Sequence, residues 1–277
     1  MSNYIYQMHS VRKRFSQCFL HDRLVIDAIV DVIKPQLGQI IVEIGPGLGA
    51  LTKPIAKRVK NITAIEIDRD LAKRLAKNSF LRTKLKTICQ DVMTVDFTKL
   101  STNLGGLLRI FGSLPYNIST PIIFHMFKHI QSIKDMYFIL QKEVANRLVA
   151  SPGSKDYGRL SIISQYHFKI TPILEISSAS FRPIPKVNST VVRFLPYIIE
   201  SSSTKKTRIL AILTNLAFSQ RRKTLRNSLS GFCNAQQLKE CGIDAGARAE
   251  NISIEHYCRL ANFLENRFNL FFKRDEK

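Results

Sequence analysis

The chain has no tryptophan, few and scattered cysteines, half as many acidic as basic residues, and no long apolar run. Each shortage excludes something. Cys18, Cys89, Cys233, Cys241 and Cys258 are odd in number and include no C-x-x-C pair, so neither a disulfide framework nor a zinc site is expected, and a reducing cytoplasm fits best. His125 and His129 stand four apart but lack the glutamate and third ligand of a zinc helix, so the histidines predict no metal. No stretch approaches the length of a membrane span, and Met1 to Phe15 lacks the apolar core of a secretion signal. The shortage of acid is the least ordinary feature. Against 42 Lys and Arg stand 21 Asp and Glu in 277 residues, a net charge of +21, which favours a polyanionic partner, nucleic acid ahead of an anionic membrane surface.

What is present reads first as an α/β domain. From about residue 40, short β-branched runs alternate with amphipathic stretches, the pattern of a parallel sheet covered by helices. Strands are predicted at Ile40 to Ile44, Ile62 to Ile67, Leu85 to Cys89 and Arg109 to Phe111, with helices carrying Leu51, Ile55 and Val59 and then Leu71 and Leu75. Further strands are expected at Met136 to Leu140, His167 to Ile176 and Thr190 to Leu195, the last two as an antiparallel pair. After Pro196 the chain turns polar and then helical in period, so a boundary is placed between a domain over 1–198 and a small helical domain over 199–277.

Candidate site residues fall where the predicted strands end. In Gly45-Pro46-Gly47-Leu48-Gly49 the missing side chains let a ligand approach the backbone at the first strand-to-helix turn. Glu66 closes the next strand, about twenty residues on, where a carboxylate can accept from ribose hydroxyls. Gly45, Gly47 and Ala50 also satisfy a dinucleotide fingerprint, but Asp91 after the third strand is placed to accept from an adenine amine, which favours S-adenosylmethionine over a nicotinamide cofactor. Glu43 is expected to orient the loop through backbone N–H groups or to approach the methionine end of the ligand.

Ser113-Leu114-Pro115-Tyr116 follows the fourth strand. An aryl amine is a poor nucleophile because its lone pair is delocalised. Acceptors that hold its N–H bonds, here the Leu114 carbonyl and Ser113 Oγ, can free that lone pair while Tyr116 stacks on the base. Arg221, Arg222, Lys223 and Arg226, interleaved with Leu225 and Leu229, put charge on one side of a short helix and apolar groups on the other, which suits phosphate contact and predicts methylation that weakens steeply with salt.

These residues resemble the small-subunit rRNA adenine N6,N6-dimethyltransferases of the bacterial KsgA type. The resemblance runs through Arg12 to Leu20, Glu43 to Gly49, Ser113 to Thr120, Gln141 to Val144, Tyr157 to Leu160, Phe181 to Val187 and Arg221 to Asn227. It implies a Rossmann-like class I methyltransferase sheet with a small C-terminal all-α, rRNA-binding domain. It also implies transfer of methyl groups from S-adenosylmethionine to two adjacent adenines near the 3′ end of small-subunit rRNA, within a pre-ribosomal 30S particle. By position, it makes Cys18, Leu20, Gly45, Glu66, Asp91 and Ser113 the cofactor contacts and Tyr116 the stacking face, and it adds Phe181 to the substrate side.

Two positions depart from the pattern: Cys18 and Ser113 stand where the family has asparagine. Serine keeps an acceptor with shorter reach, whereas a thiol cannot replace an amide's hydrogen bonds, so a working but slower enzyme is expected. The competing expectation is an rRNA-binding assembly factor whose methylation has weakened or been lost. A monomer is the default state.

Overall fold

The computed structural model describes residues 5–6, 9–10, 12, 17–197, 203–220 and 222–265. The expected site residue Arg221 and the boundary at 198/199 lie outside them. Two short strands, β1 (Ile5–Tyr6) and β2 (His9–Ser10), pair with each other, and β3 (Phe19–Leu20) leads into α1 (Arg23–Ile33). Then come β4 (Ile40–Ile44), α2 (Thr52–Arg58), β5 (Ile62–Ile65), α3 (Arg69–Ala76), β6 (Leu85–Ile88), α4 (Phe97–Leu104) and β7 (Leu108–Ser113). They are followed by α5 (Ser119–Phe127), β8 (Ile133–Gln141), α6 (Lys142–Val149), α7 (Arg159–His167), β9 (Phe168–Ile176), β10 (Phe181–Arg182) and β11 (Ser189–Pro196). Last are α8 (Ser203–Ser219), α9 (Leu225–Ser228), α10 (Ala235–Glu240) and α11 (Ile254–Phe263).

Seven strands form one sheet in the order β6-β5-β4-β7-β8-β11-β9. The first five in that order run parallel, and β11 returns antiparallel to β8. The chain moves outward from β4 to β6 and then returns to β7 on the other side, so the switch point lies between β4 and β7. Crevices for ligands open at the carboxyl ends of such neighbours. Gly112 allows their close approach: a Cβ there would stand 2.2 Å from the Ile44 carbonyl oxygen.

The amino edge of the same sheet is tied down. Arg109 meets Asp135 through Nε (2.8 Å) and a terminal nitrogen (2.9 Å), both side chains being buried. Its remaining N–H groups reach the Ile33 carbonyl at 2.8 Å and Gln39 Oε1 at 2.7 Å, which anchors the end of α1. Ile26, Ile29, Val30 and Ile33 of α1 pack with Ile55 and Ala56 of α2 on Ile41, Phe111 and Ile139 of the sheet.

The chain divides into two compact units. One holds residues up to Ala145 together with Lys169–Pro196; the other gathers Asn146–Phe168 with the chain from Tyr197 onward. A single break near 198 therefore assigns residues 146–168 to the wrong unit. The reason is tertiary: within the helical unit the Tyr157 hydroxyl donates to the Ile252 carbonyl at 3.0 Å, Gly153 N donates to the Glu250 carbonyl at 2.7 Å, and α7 packs on α8.

Candidate active site

The glycine turn follows β4 with Gly45, Gly47 and Gly49 at φ of 67°, 56° and 82°, the left-handed region that β-carbons disfavour. A Cβ on Gly47 would come within 3.2 Å of the Phe19 ring, which packs over the turn. A Cβ on Gly45 would stand 3.6 Å from the Ser113 carbonyl, so the end of β7 is brought against the turn. The cleft so formed encloses about 1100 Å³ of space, part of it open to solvent.

Cys18, Leu20, Gly45, Glu66, Asp91, Ser113, Leu114, Pro115 and Tyr116 all line this one cleft. They come from β3 and the residues before it and from the ends of β4, β5, β6 and β7, more than ninety-five residues apart at the extremes. Gln17, Phe19, Ile118 and Ile122 line it too. Sequence reasoning did not single these out, although Gln17 and Phe19 fall inside the Arg12 to Leu20 stretch.

The carboxylates divide the work differently from the expectation. Glu43 does not hold the loop's N–H groups; its Oε2 accepts from Thr52 Oγ1 at 2.6 Å, at the start of α2. Burial pushes this carboxyl up to about 8, against the lowering effect of the Thr52 hydroxyl, and the nearby Glu66 charge adds to the rise. At neutral pH Glu43 is therefore mostly a neutral acid. Glu66 holds the loop instead: Gly47 N donates to its Oε2 at 3.2 Å and Asp68 N to its Oε1 at 2.9 Å. Burial raises the Glu66 carboxyl, and these backbone donors oppose that rise. Asp91 is partly exposed beside it, with one oxygen accepting from Met93 N at 2.9 Å and capping a short 3-10 turn. Gln90 N donates to the Glu66 carbonyl at 3.1 Å, which holds the backbone just before Asp91 against the end of β5.

At the prolyl motif Leu114 N makes a last sheet contact with the Ile139 carbonyl at 3.2 Å, and the chain then bends, Ile118 N donating to the Pro115 carbonyl at 3.1 Å. The Leu114 side chain is buried, whereas Ser113, Pro115 and Tyr116 are only partly so. Burial raises the Tyr116 phenol above its ordinary value, so it is neutral across the working pH range.

Phe181 requires a correction. It is 1% exposed and belongs to the core, paired with Leu20 in a two-stranded ladder in which Arg182 faces Phe19. It offers no surface to a substrate; it clamps the strand that carries two cleft residues. Arg222, Lys223 and Arg226 lie in the helical unit and are exposed, while Leu225 and Leu229 beside them are fully buried. His125 and His129 pack against Phe97, with His129 Nδ1 at 2.9 Å from Thr98 Oγ1 and His125 Nε2 at 2.9 Å from the Val95 carbonyl.

Comparison with known proteins points one way. The profile of the ribosomal RNA adenine dimethylase family matches residues 8–266. A protein named ribosomal RNA small subunit methyltransferase A from Pectobacterium atrosepticum is 54% identical over 264 residues, covering 95% of this chain and 97% of its own length. Its namesake from Klebsiella pneumoniae is 52% identical over 266 residues, covering 96% and 97%. Among solved structures, a dimethyladenosine transferase from Plasmodium falciparum superposes with a TM-score of 0.74 at 24% identity, over 87% of this chain and 95% of that one. The 23S rRNA methyltransferase ErmE gives 0.67 at 23% identity, over 89% and 99%. Both share the class I methyltransferase fold. With nearly the whole length matched at this identity, the chain belongs to the ribosomal RNA adenine dimethylase family.

Proposed function

We propose that the protein transfers methyl groups from S-adenosylmethionine to N6 of two adjacent adenines near the 3′ end of small-subunit rRNA, giving N6,N6-dimethyladenines during ribosome biogenesis. The observation that carries the reading is the meeting, in one cleft, of the glycine turn, the paired strand-end acids and the Ser113 to Tyr116 bend. The cofactor fits the chemistry of this lining: Glu66 has acceptor capacity for ribose hydroxyls, Asp91 has a carboxylate oxygen for the adenine amine, and Gly45 and Gly47 leave the turn without β-carbons. When bound, it supplies an activated methyl group on a sulfonium.

The chain's own part is to bind and align. Cys18, Leu20 and Ser113 complete the cofactor side, and the Phe181 ladder keeps Leu20 in place. The Leu114 carbonyl and Ser113 Oγ accept from the target amine and turn its lone pair toward the donor, with Tyr116 as the stacking face. No general base is needed before transfer, because the neutral amine is itself the nucleophile. The exposed Arg222, Lys223 and Arg226, with Arg221 outside the described residues, suit contact with rRNA phosphates, and the net charge of +21 supports a polyanionic substrate.

In this reading the helical unit binds rRNA, the substrate is a pre-ribosomal 30S particle, and the acting species is a monomer in the cytoplasm. Among the described residues no helix is long and apolar enough to cross a membrane. Incubation of undermethylated small subunits with labelled S-adenosylmethionine should yield labelled N6,N6-dimethyladenine by mass spectrometry. Particle binding with no labelled nucleoside would overturn the reading and leave an assembly factor without methylation.

A further inference from the structure

Ser189 opens β11 with its side chain fully buried, and its Oγ lies 2.8 Å from the Tyr116 hydroxyl oxygen. The sheet makes this serine a fixed point. Ser189 is paired with Gln141 at the end of β8, Lys142 N donates to the Asn188 carbonyl at 3.0 Å, and Ser178 N donates to Asn188 Oδ1 at 3.1 Å. Tyr116 stands on a turn rather than in a ladder. Its backbone is held by the Ile118 to Pro115 bond and by Ser119 Oγ, which donates to the Tyr116 carbonyl at 3.3 Å. Two torsions of its partly exposed side chain remain to be set, and a partner at the far end of the ring restricts both.

We propose that Ser189 is a positioning residue for methyl transfer: by holding the phenol of Tyr116 it fixes the plane on which the target adenine stacks. The inference rests on the reading of Tyr116 as stacking face. A phenylalanine would supply the same π-face, so the stacking role alone does not account for the hydroxyl; the bond to Ser189 does. The ring plane matters because the amine must meet the Leu114 carbonyl and the donor together, and a misplacement on the order of 1 Å costs up to about a hundredfold in rate. Ser189 lies on the second strand from β7, so the tether ties the bend to the antiparallel part of the sheet as well as to the strand that carries it.

The test is single-turnover methylation of undermethylated small subunits at saturating S-adenosylmethionine, with Ser189→Ala, Tyr116→Phe, the double variant and Tyr116→Ala, and with cofactor affinity measured by calorimetry. Ser189→Ala and Tyr116→Phe remove the same bond from opposite ends. Each should slow transfer about tenfold, the double variant should be no slower than either, and cofactor affinity should stay within about twofold of the parent. A general structural role for Ser189 would instead multiply with Tyr116→Phe and lower cofactor affinity. Transfer by Ser189→Ala at the parent rate, or losses that multiply, would overturn the proposal while a slow Tyr116→Ala leaves the stacking reading standing. Tyr116→Ala at the parent rate would remove both.

Discussion

The two edges of the seven-stranded sheet use charge in opposite ways. At the amino edge Arg109 and Asp135 satisfy each other bidentately, and Arg109 spends its other donors on Ile33 and Gln39. At the carboxyl edge Glu43 and Glu66 are equally buried, yet among the described residues neither meets a cation there; Glu43 leans on a threonine hydroxyl and Glu66 on two backbone amides. A closed network serves the fold. Acids held only by hydroxyl or amide donors, with lone pairs to spare around a cleft, serve a ligand.

The contrast can be broken at its strongest point first. Arg109→Ala leaves Asp135 buried without its partner and should cost about 3–5 kcal/mol of stability, read by denaturant unfolding, with cofactor affinity unchanged below the transition. A loss below about 1 kcal/mol would mean that the amino edge is not the anchor described.

Glu43 gives the next effect, through pH. With its carboxyl raised to about 8 from an ordinary 4.5, the folded protein holds one proton more than the unfolded chain between those values. Its contribution to stability is therefore full below about pH 4.5 and is lost as pH rises toward 8, on the order of a few kcal/mol. Glu43→Gln keeps an acceptor for Thr52 and has no such proton, so its unfolding free energy should fall markedly less from pH 5 to pH 8. Parallel pH profiles for parent and variant would contradict the neutral-acid state.

Glu66→Ala should weaken S-adenosylmethionine binding about tenfold or more by calorimetry, while costing only about 1–2 kcal/mol of stability for two lost backbone contacts. Unchanged affinity would move the ribose elsewhere. The smallest effect sits at Ser113, where Asn restores an amide of longer reach and should speed single-turnover methylation by roughly two- to fivefold. A rate no faster than the parent's would show that serine is already sufficient.

Much of the sheet and of the cleft was legible in the chain. β4 has the predicted bounds, and β5, β6 and β7 fall on the predicted runs with no end shifted by more than two residues, because period-2 apolar runs flanked by glycine or acid carry their own boundaries. Asp91 and the Ser113 to Tyr116 bend line the cleft because a strand end fixes where the next few residues go. α1 went unread, since its apolar face at Ile26, Ile29, Val30 and Ile33 precedes the alternation that marked the sheet. α5 is apolar on most of its surface and shows little helical contrast. The passing of the loop-holding role from Glu43 to Glu66, the burial of Phe181 and the capture of residues 146–168 by the helical unit depend on side-chain direction and on partners distant in sequence. No local pattern encodes those.

The most direct test of the alignment is a crystal structure with S-adenosylhomocysteine and adenosine bound together. The cofactor's ribose hydroxyls are expected on Glu66, its adenine amine on Asp91, and its sulfur facing the amino group of an adenosine that rests on Tyr116 and donates to the Leu114 carbonyl. A cofactor outside the cleft, or an adenosine amine turned away from the sulfur with Tyr116 out of contact, would contradict it.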